Sequence, residues 1–334
     1  MWFARARPGQ GEAGTRHGHA LARAPDVIEP PGRATNVAVA IATLDRPEAL
    51  ARCLDALLSN SRLPAQIVVV DQGQGVEGGR VIDERRSVYP SLHYHRQARR
   101  GLSASRNAAI GLVRSPIIAM TDDDCVPGRD WVAAIDDAFA RPSSPDAVTG
   151  RVLPLGPPRP GWYAMSSRDG ASARDFRGRI LPWKVGSGGN LAARRASLDQ
   201  IGGFDERLGA GSPGRAAEDT DVLYRLLRAG ARIRFEPTAL VYHERAPKWR
   251  RALTRRTYSY GIGAFCGAWL QRRDAYALWM IAAWLHQQAW KAAGHLRRHR
   301  WEEAGWDLAS LPAAAAGLVH GFTTPPLNDL RPIE

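Results

Sequence analysis

The sequence has few cysteines and no long apolar run, and both absences exclude classes of protein. Its 334 residues include three cysteines, Cys53, Cys125 and Cys266, which lie far apart and form no Cys-x-x-Cys pair. This spacing gives no zinc or dithiol redox motif, and a chain of this length can bury a core without disulfides. We therefore predict three thiols in a reducing compartment. No stretch reaches the roughly 20 uninterrupted apolar residues of a membrane-spanning helix.

The first 34 residues lack the apolar run that a secretory signal requires. They are rich in arginine, glycine, proline and histidine, a composition typical of segments without a packed core. We predict residues 1–34 to be a disordered basic tail. The absence of a signal favours a cytoplasmic protein.

Positive charge is in excess, with 46 lysines and arginines against 33 aspartates and glutamates and a net charge of +13. Such an excess attracts nucleic acid, anionic lipid or nucleotide phosphates. Arginine binds phosphate with a planar pair of donors, although arginine content also rises in chains from GC-rich genomes. No zinc finger or RNA-recognition aromatic motif is present, so we expect no nucleic-acid partner.

Residues 37–122 contain the pattern of a parallel α/β unit. Residues 37–42 and 66–71 are short runs dominated by apolar residues, as expected of strands that are covered on both faces. Between them, Pro47 marks the first turn of a helix, and apolar residues follow at helical spacing. Residues 103–113 predict a second helix and 116–120 a third strand, which completes a parallel crossover arrangement.

Carboxylates follow two of these strands directly. Asp71 ends the second strand, and Asp122, Asp123 and Asp124 follow the third. Because ligands bind at the carboxyl edge of open parallel sheets, we expect these side chains to share one crevice. Three adjacent carboxylates repel each other unless a cation compensates them, and Mg²⁺ or Mn²⁺ suits oxygen ligands. Taken alone, the three aspartates fit a solvated acidic turn equally well.

Further polar residues occur in the second half of the chain. Glu218 and Asp219 begin a predicted helix that ends before Gly230. Acidic residues in a first turn stabilise a helix without any other role, but a buried one could act as a general base. His243 follows an apolar strand and could bind a metal through a neutral imidazole, although a lone histidine is usually structural.

Two regions remain open to more than one interpretation. Residues 150–182 are rich in proline and glycine, and fit either a functional loop or a simple surface connection. After Pro247, arginine and tryptophan dominate; seven of the eleven tryptophans lie there, at positions 249, 269, 279, 284, 290, 301 and 306. This composition suits helices at a lipid surface, and it suits ordinary core packing equally well.

The order of the polar motifs resembles that of the family 2 glycosyltransferases of GT-A fold. The matching segments are 39–43 with Arg46-Pro47, 68–73, 101–107, 121–124, 188–191, 202–206 and 218–221. Each motif is weak alone, but their shared order over about 37–244 is specific. The resemblance implies an α/β, Rossmann-like nucleotide-binding domain with a mixed, mainly parallel sheet over residues 35–246. A helical, tryptophan- and arginine-rich region, with peripheral membrane contact as one interpretation, would then occupy 247–334.

The resemblance also implies an inverting transferase that uses a nucleotide diphosphate sugar and Mn²⁺ or Mg²⁺. The residues implied at the donor nucleotide are Thr43, Arg46, Asp71, Arg106, Asn107, Asp122 and Asp123. Asp124, Asp122 and His243 would bind the metal, with Asp123 able to replace either aspartate. Asp219 would be the base, with Glu218 beside it, and Gly189 and Asn190 would lie in the donor or acceptor region. The acceptor would be a glycan, a lipid-linked molecule or a cell-envelope precursor, at the inner face of the membrane.

Two other hypotheses compete with this one. A nucleotide-sugar-binding subunit without catalysis would not need both metal-type and base-type carboxylates. A metal-dependent nucleotidyltransferase would carry a glycine-rich phosphate loop after the first strand, where this chain has residues 42–47 without glycine. The chain departs from the glycosyltransferase pattern at Gln72-Gly73-Gln74-Gly75, where Asn-Gly-Ser or Asp-Gly-Ser is frequent.

Overall fold

The apolar runs of the first half form the centre of a sheet in the computed structural model, which describes residues 35–325. The predicted tail at 1–34 and the last nine positions of the predicted helical region lie outside the described residues. The strands are β1 (Val37–Thr43), β2 (Gln66–Asp71), β3 (Leu92–Arg96), β4 (Ile117–Asp122), β5 (Cys125–Pro127), β6 (Ala147–Pro154), β7 (Trp162–Tyr163), β8 (Arg174–Phe176), β9 (Leu191–Arg194), β10 (Ile233–His243) and β11 (Ala246–Pro247). The α-helices are α1 (Pro47–Leu58), α2 (Glu77–Arg86), α3 (Leu102–Leu112), α4 (Trp131–Ala140), α5 (Arg195–Ile201), α6 (Glu218–Arg228), α7 (Arg251–Gln271), α8 (Tyr276–Arg297) and α9 (Trp301–Thr323).

The main sheet has the strand order β3-β2-β1-β4-β9-β6-β10-β5, and β8 pairs with β10. Neighbours from β3 to β4 are parallel, and β10 runs parallel to β6. Among the described strands of the main sheet, only β9, β5 and β8 run antiparallel to these strands. The structure therefore confirms the predicted α/β class with a mixed, mainly parallel sheet.

The two faces of β1 explain why its run of apolar residues has no polar alternation. Val37, Val39 and Ile41 pack into a core with α1 and α4. Ala38 and Ala40 face a second core formed with α3 and α6. Because successive side chains of a strand point to opposite sides, a strand covered twice must be apolar at nearly every position.

Several elements were not predicted from the sequence pattern. Residues 150–182 contain the end of β6 together with β7 and β8, and Phe176 is buried on the sheet. This segment is therefore more ordered than its proline and glycine content suggests.

The predicted helix ends are close to the observed ones, and Gly230 adopts the left-handed conformation (φ 81°) that ends α6.

The C-terminal helices pack against α6 through a third core, which contains Tyr224, Phe265 and Trp269. Among themselves, α7 and α9 touch backbone to backbone at Gly263, Gly267, Gly317 and Gly321. A Cβ at any of these glycines would collide with a backbone carbonyl oxygen of the opposite helix. Small residues four apart on both helices permit this close approach. No helix among residues 35–325 is both long enough and apolar enough to cross a bilayer.

This close contact predicts opposite effects for two glycines of α9. We expect Gly317→Ala to lower the free energy of unfolding by about 1–3 kcal/mol, because the added methyl group meets the carbonyl of Tyr260. Gly305→Ala, where nothing lies within 4 Å of the added carbon, should raise it by about 0.5–1 kcal/mol through helix propensity. Urea unfolding of both variants measures the difference, and equal effects would contradict the packing.

Candidate active site

The predicted meeting of carboxylates at one sheet edge is present. Thr43 at the end of β1 is paired in register with Asp71 at the end of β2. On the other side of β1, Ala42 is paired with Asp122 at the end of β4. Three polar side chains from distant segments thus leave adjacent strands within one residue of the same level, at the carboxyl edge of the parallel strands.

The three consecutive aspartates take different directions. Asp123 points back to the first loop, where its carboxylate accepts hydrogen bonds from the Thr43 hydroxyl (2.8 Å) and from Arg46 (3.3 Å). Arg46 also donates to Asp124 at 2.8 Å. Burial, with the charge of Asp124 as a further cause, raises the pKa of Asp123 to about 6. The sequence did not show which of the three aspartates would face a metal ion. In the structure, the carboxylate of Asp123 is bound by Thr43 and Arg46.

One group of side chains at this edge could hold a metal ion. Oxygen, sulfur and nitrogen atoms of Asp122, Asp124, Cys125 and His243 all lie within 4.8 Å of one another. The Nδ1 atom of His243 lies 2.8 Å from the carbonyl oxygen of Glu244. Because a carbonyl only accepts hydrogen bonds, Nδ1 carries the proton and a neutral ring leaves the Nε2 lone pair free for a metal. Nε2 is 3.6 Å from an oxygen of Asp124.

Cys125 was not predicted as part of this group, although it directly follows the aspartates and pairs with His243 across β5 and β10. Burial raises the pKa of its thiol well above the ordinary range, and the nearby aspartates add to this effect. Sulfur is a soft ligand, and Mn²⁺ and Mg²⁺ prefer carboxylate oxygen. Two carboxylates and one imidazole therefore remain, a set that suits Mn²⁺ or Mg²⁺.

Arg106 joins the two acidic regions of the chain. Its guanidinium group is buried and donates to Asp122 at 2.8 Å and to Glu218 at 3.0 Å. The strand-end carboxylate and the Glu218–Asp219 pair, which the sequence identified separately, thus form one site. Burial and the neighbouring charge of Asp219 raise the pKa of Glu218 to about 7.

Asp219 lies at the start of α6 with its carboxylate held by backbone donors. It accepts hydrogen bonds from the amide of Gly188 (2.8 Å) and from that of Thr220 (2.6 Å). A side chain at Gly188 would come within 2.9 Å of both Arg106 and Asp219, so the position requires glycine. Unlike Glu218, Asp219 is partly exposed. It can therefore reach a molecule in the crevice.

A pocket next to this site lies between the loops that follow β1 and β2. It is lined by Thr43, Asp45, Arg46, Pro47, Asp71, Gly73, Gly75, Glu77 and Gly78. Asp71 accepts hydrogen bonds from the amide of Gly73 (2.7 Å) and from the Tyr94 hydroxyl (2.8 Å). Gln72, part of the departure from the common motif, accepts a hydrogen bond from the amide of Gly101 at 2.6 Å. Of the same four-residue segment, Gly73 and Gly75 line the pocket.

Two predicted site residues lie apart from these groups. Asn107 exchanges hydrogen bonds with the backbone of Phe204 and also donates to Glu206. Asn190 accepts from the Trp131 indole and donates to the carbonyls of Arg151 and Ala239. The side-chain contacts of both residues are thus within the fold. Gly189, in contrast, lies against Asp122, because a Cβ there would be 2.9 Å from its carboxylate.

Comparison with known proteins agrees with this architecture. Residues 38–202 match the model of glycosyl transferase family 2. A pre-mycofactocin glycosyltransferase of Mycobacterium tuberculosis is 28% identical over 207 residues, which are 60% of this chain and 42% of that protein. A glucosyl-dolichyl phosphate glucuronosyltransferase of Haloferax volcanii is 24% identical over 63% of this chain and 68% of that protein. The alignment thus spans less than half of the mycobacterial relative.

A solved structure has the same fold. The mannosyltransferase of Pyrobaculum calidifontis, determined in complex with GDP-Man and Mn²⁺, superposes with a TM-score of 0.60 over 89% of this chain and 91% of that chain, at 19% identity. This likeness extends past the matched segment into the C-terminal half. The family match, the glycosyltransferase relatives and the GT-A architecture agree, and residues 38–202 of the chain therefore belong to glycosyl transferase family 2.

Proposed function

We propose that the protein is an inverting, metal-dependent glycosyltransferase that moves a sugar from a nucleotide diphosphate donor to an acceptor hydroxyl. The observation that carries this proposal is the Arg106 bridge, which brings the metal-type carboxylate Asp122 beside the Glu218–Asp219 pair. A cation site and a base on opposite sides of one crevice are what displacement at an anomeric carbon needs. The base-type pair lies beyond the segment matched by the family model.

The donor would bind along the sheet edge. Its nucleoside would occupy the pocket at Asp71, which Thr43 and Arg46 also line. Its diphosphate would lie toward Asp122 and Asp124, which together with His243 would hold Mn²⁺ or Mg²⁺. When bound, this cation supplies positive charge that stabilises the departing diphosphate. Donors bound by GT-A neighbours include GDP-Man and UDP-GlcNAc.

In the transfer step, Asp219 would accept the proton of the acceptor hydroxyl. The hydroxyl oxygen forms a bond to the anomeric carbon, the bond from that carbon to the phosphate oxygen breaks, and the nucleoside diphosphate leaves with the electron pair. Attack from the side opposite the leaving group inverts the configuration. Gly188 and Thr220 hold Asp219 through backbone amides and thereby orient its carboxylate.

The acceptor side is proposed on broader grounds. We propose a glycan, a lipid-linked molecule or a cell-envelope precursor, used at the cytoplasmic face of the membrane. Residues 35–246 would form the donor-binding domain and residues from 247 onward the helical region. The net charge of +13 would favour both nucleotide phosphates and anionic lipid.

Asp219→Asn should reduce kcat by about 10²–10⁴-fold, because the amide cannot accept the proton. Binding of the nucleotide diphosphate, measured by calorimetry, should stay near that of the wild type. Asp199→Asn, a surface carboxylate at 58% side-chain exposure, is the matched control and should leave both quantities unchanged. A fully active Asp219→Asn variant would reject this residue as the base.

Chelation should abolish transfer, and added Mn²⁺ should restore it. Asp124→Asn should weaken Mn²⁺ binding, followed by electron paramagnetic resonance in the presence of nucleoside diphosphate, by at least about tenfold. Asp137→Asn, at 62% side-chain exposure, provides the control. Full turnover in excess EDTA would contradict the metal proposal.

The raised pKa of Glu218 has a consequence for stability. Between its ordinary pKa of 4.5 and about 7, the folded protein binds this proton more tightly than the unfolded chain does. The contribution of Glu218 to the free energy of unfolding is therefore full below pH 4.5 and is lost as the pH rises through 7. In metal-free buffer, Glu218→Gln should show a smaller loss of stability over this interval than the wild type. Glu84→Gln, at an exposed position, should match the wild type, and identical profiles for all three proteins would refute the assignment.

A further inference from the structure

Helix α8 carries apolar residues both on the side that packs against the protein and on the side that faces solvent. Its inner side is buried and consists of Ala277, Met280, Ile281, Trp284, Gln288 and Ala292. The first four of these belong to the third core. A helix at the surface of a water-soluble protein normally pairs such a side with a polar one. The outer side of α8 does not follow this rule.

The exposed side of α8 carries large hydrophobic residues along its length. Leu278 and Trp290 are each 58% exposed, Trp279 is 50% exposed, and Leu285 and Leu296 are 37% and 38% exposed. Ala282 and Ala289 are exposed between them, and so is His286, whose ring accepts a hydrogen bond from the Trp290 indole at 2.7 Å. We call the seven apolar residues the outer face of α8. An apolar area of this extent is typical of a contact surface.

The charges around the outer face are of one sign. Arg272 and Arg273 precede α8, while Lys291, Arg297, Arg298 and Arg300 lie near its end. No aspartate or glutamate occurs from residue 275 to 301. The carboxylates on either side are occupied: Asp274 binds Tyr224 and Arg228, Glu302 binds Lys248, and Glu303 binds Arg300.

We propose that the outer face of α8 rests on the surface of an anionic lipid bilayer. Tryptophan and leucine side chains would enter the headgroup region, and the cations at both ends would meet lipid phosphates. Charge argues against a second copy as the occupant. In a two-fold pair of α8 helices, the arginines at one end would face the arginines of the other copy with no acidic residue between them.

This contact would determine where the proposed transfer takes place. This part of the inference rests on the proposed function. Membrane docking favours an acceptor that is itself anchored in the membrane, because the enzyme and the acceptor would then be confined to one surface. The docking itself depends only on the outer face, so it can be tested without any sugar transfer.

The test is flotation of the full chain with vesicles of phosphatidylcholine alone and with an equal mixture of phosphatidylcholine and phosphatidylglycerol. We expect the wild type to float with the mixed vesicles and much less with the neutral ones. Leu278→Ser combined with Leu285→Ser should lower the partition coefficient on mixed vesicles by about tenfold. Val88→Ser combined with Leu112→Ser changes two aliphatic residues of similar exposure, 60% and 42%, outside the C-terminal helices. This control should stay within about twofold of the wild type.

Thermal unfolding and binding of nucleoside diphosphate, both measured without vesicles, check that each variant is folded and has an intact donor site. Loss of flotation with these two properties unchanged supports the proposal, whatever the outcome for transfer. Equal flotation of the Leu278/Leu285 variant and the wild type would overturn it. A wild type that does not float but forms dimers in light scattering, which the same substitutions disrupt, would instead assign the outer face to self-association.

Discussion

The organisation of the site depends on one buried cation, the guanidinium group of Arg106. It lies between Asp122 of β4 and Glu218 of α6, two carboxylates that would otherwise repel each other in a poorly solvated space. A planar group with separate donors can serve both partners at once, which a lysine ammonium could not do with the same geometry. If α6 moved away from the sheet edge, the charges of this network would lose their partners, which is costly in a buried site. The bridge therefore constrains the position of α6 relative to the sheet edge.

The C-terminal helices contribute to the same constraint from the other side of α6. Asp221, two residues after Asp219, binds Arg225 and accepts a hydrogen bond from the Trp269 indole of α7 at 2.9 Å. Tyr224 packs edge-on against Phe265 and Trp269. The helix that carries the candidate base is therefore fixed by its own salt bridge, by an aromatic cluster and by Arg106. Through these contacts, the arginine- and tryptophan-rich region shares a core with the element that starts at the active site.

Much of the sheet and its edge could be predicted from sequence because the responsible signals are local. Unbroken apolar runs mark strands covered on both faces, and a carboxylate directly after such a strand must lie at the carboxyl edge. The fate of each polar residue is not local. Asn107 and Asn190 occur within motifs of the family, yet their hydrogen bonds are made with backbone groups and with the side chains of Glu206 and Trp131, which folding brings near. The direction of Asp123 likewise depends on Thr43 and Arg46, which three identical neighbouring residues cannot reveal.

The tryptophans show a different limit of sequence analysis. Composition made core packing and contact with a lipid surface equally plausible. In the structure Trp269 and Trp284 are buried, whereas Trp249 and Trp290 are exposed. Within α8, the helical repeat decides which tryptophan is buried. Trp284 lies on the side that carries Ala277, Met280 and Ile281, and this side packs into the third core. In a helix that carries large apolar residues on two of its sides, hydrophobicity alone cannot choose the inner side. The choice comes from its neighbours: α7 and α9 meet through glycines, and α8 packs its buried side into the third core with α7. The residues left outside are then those whose hydrophobic character the fold itself does not explain.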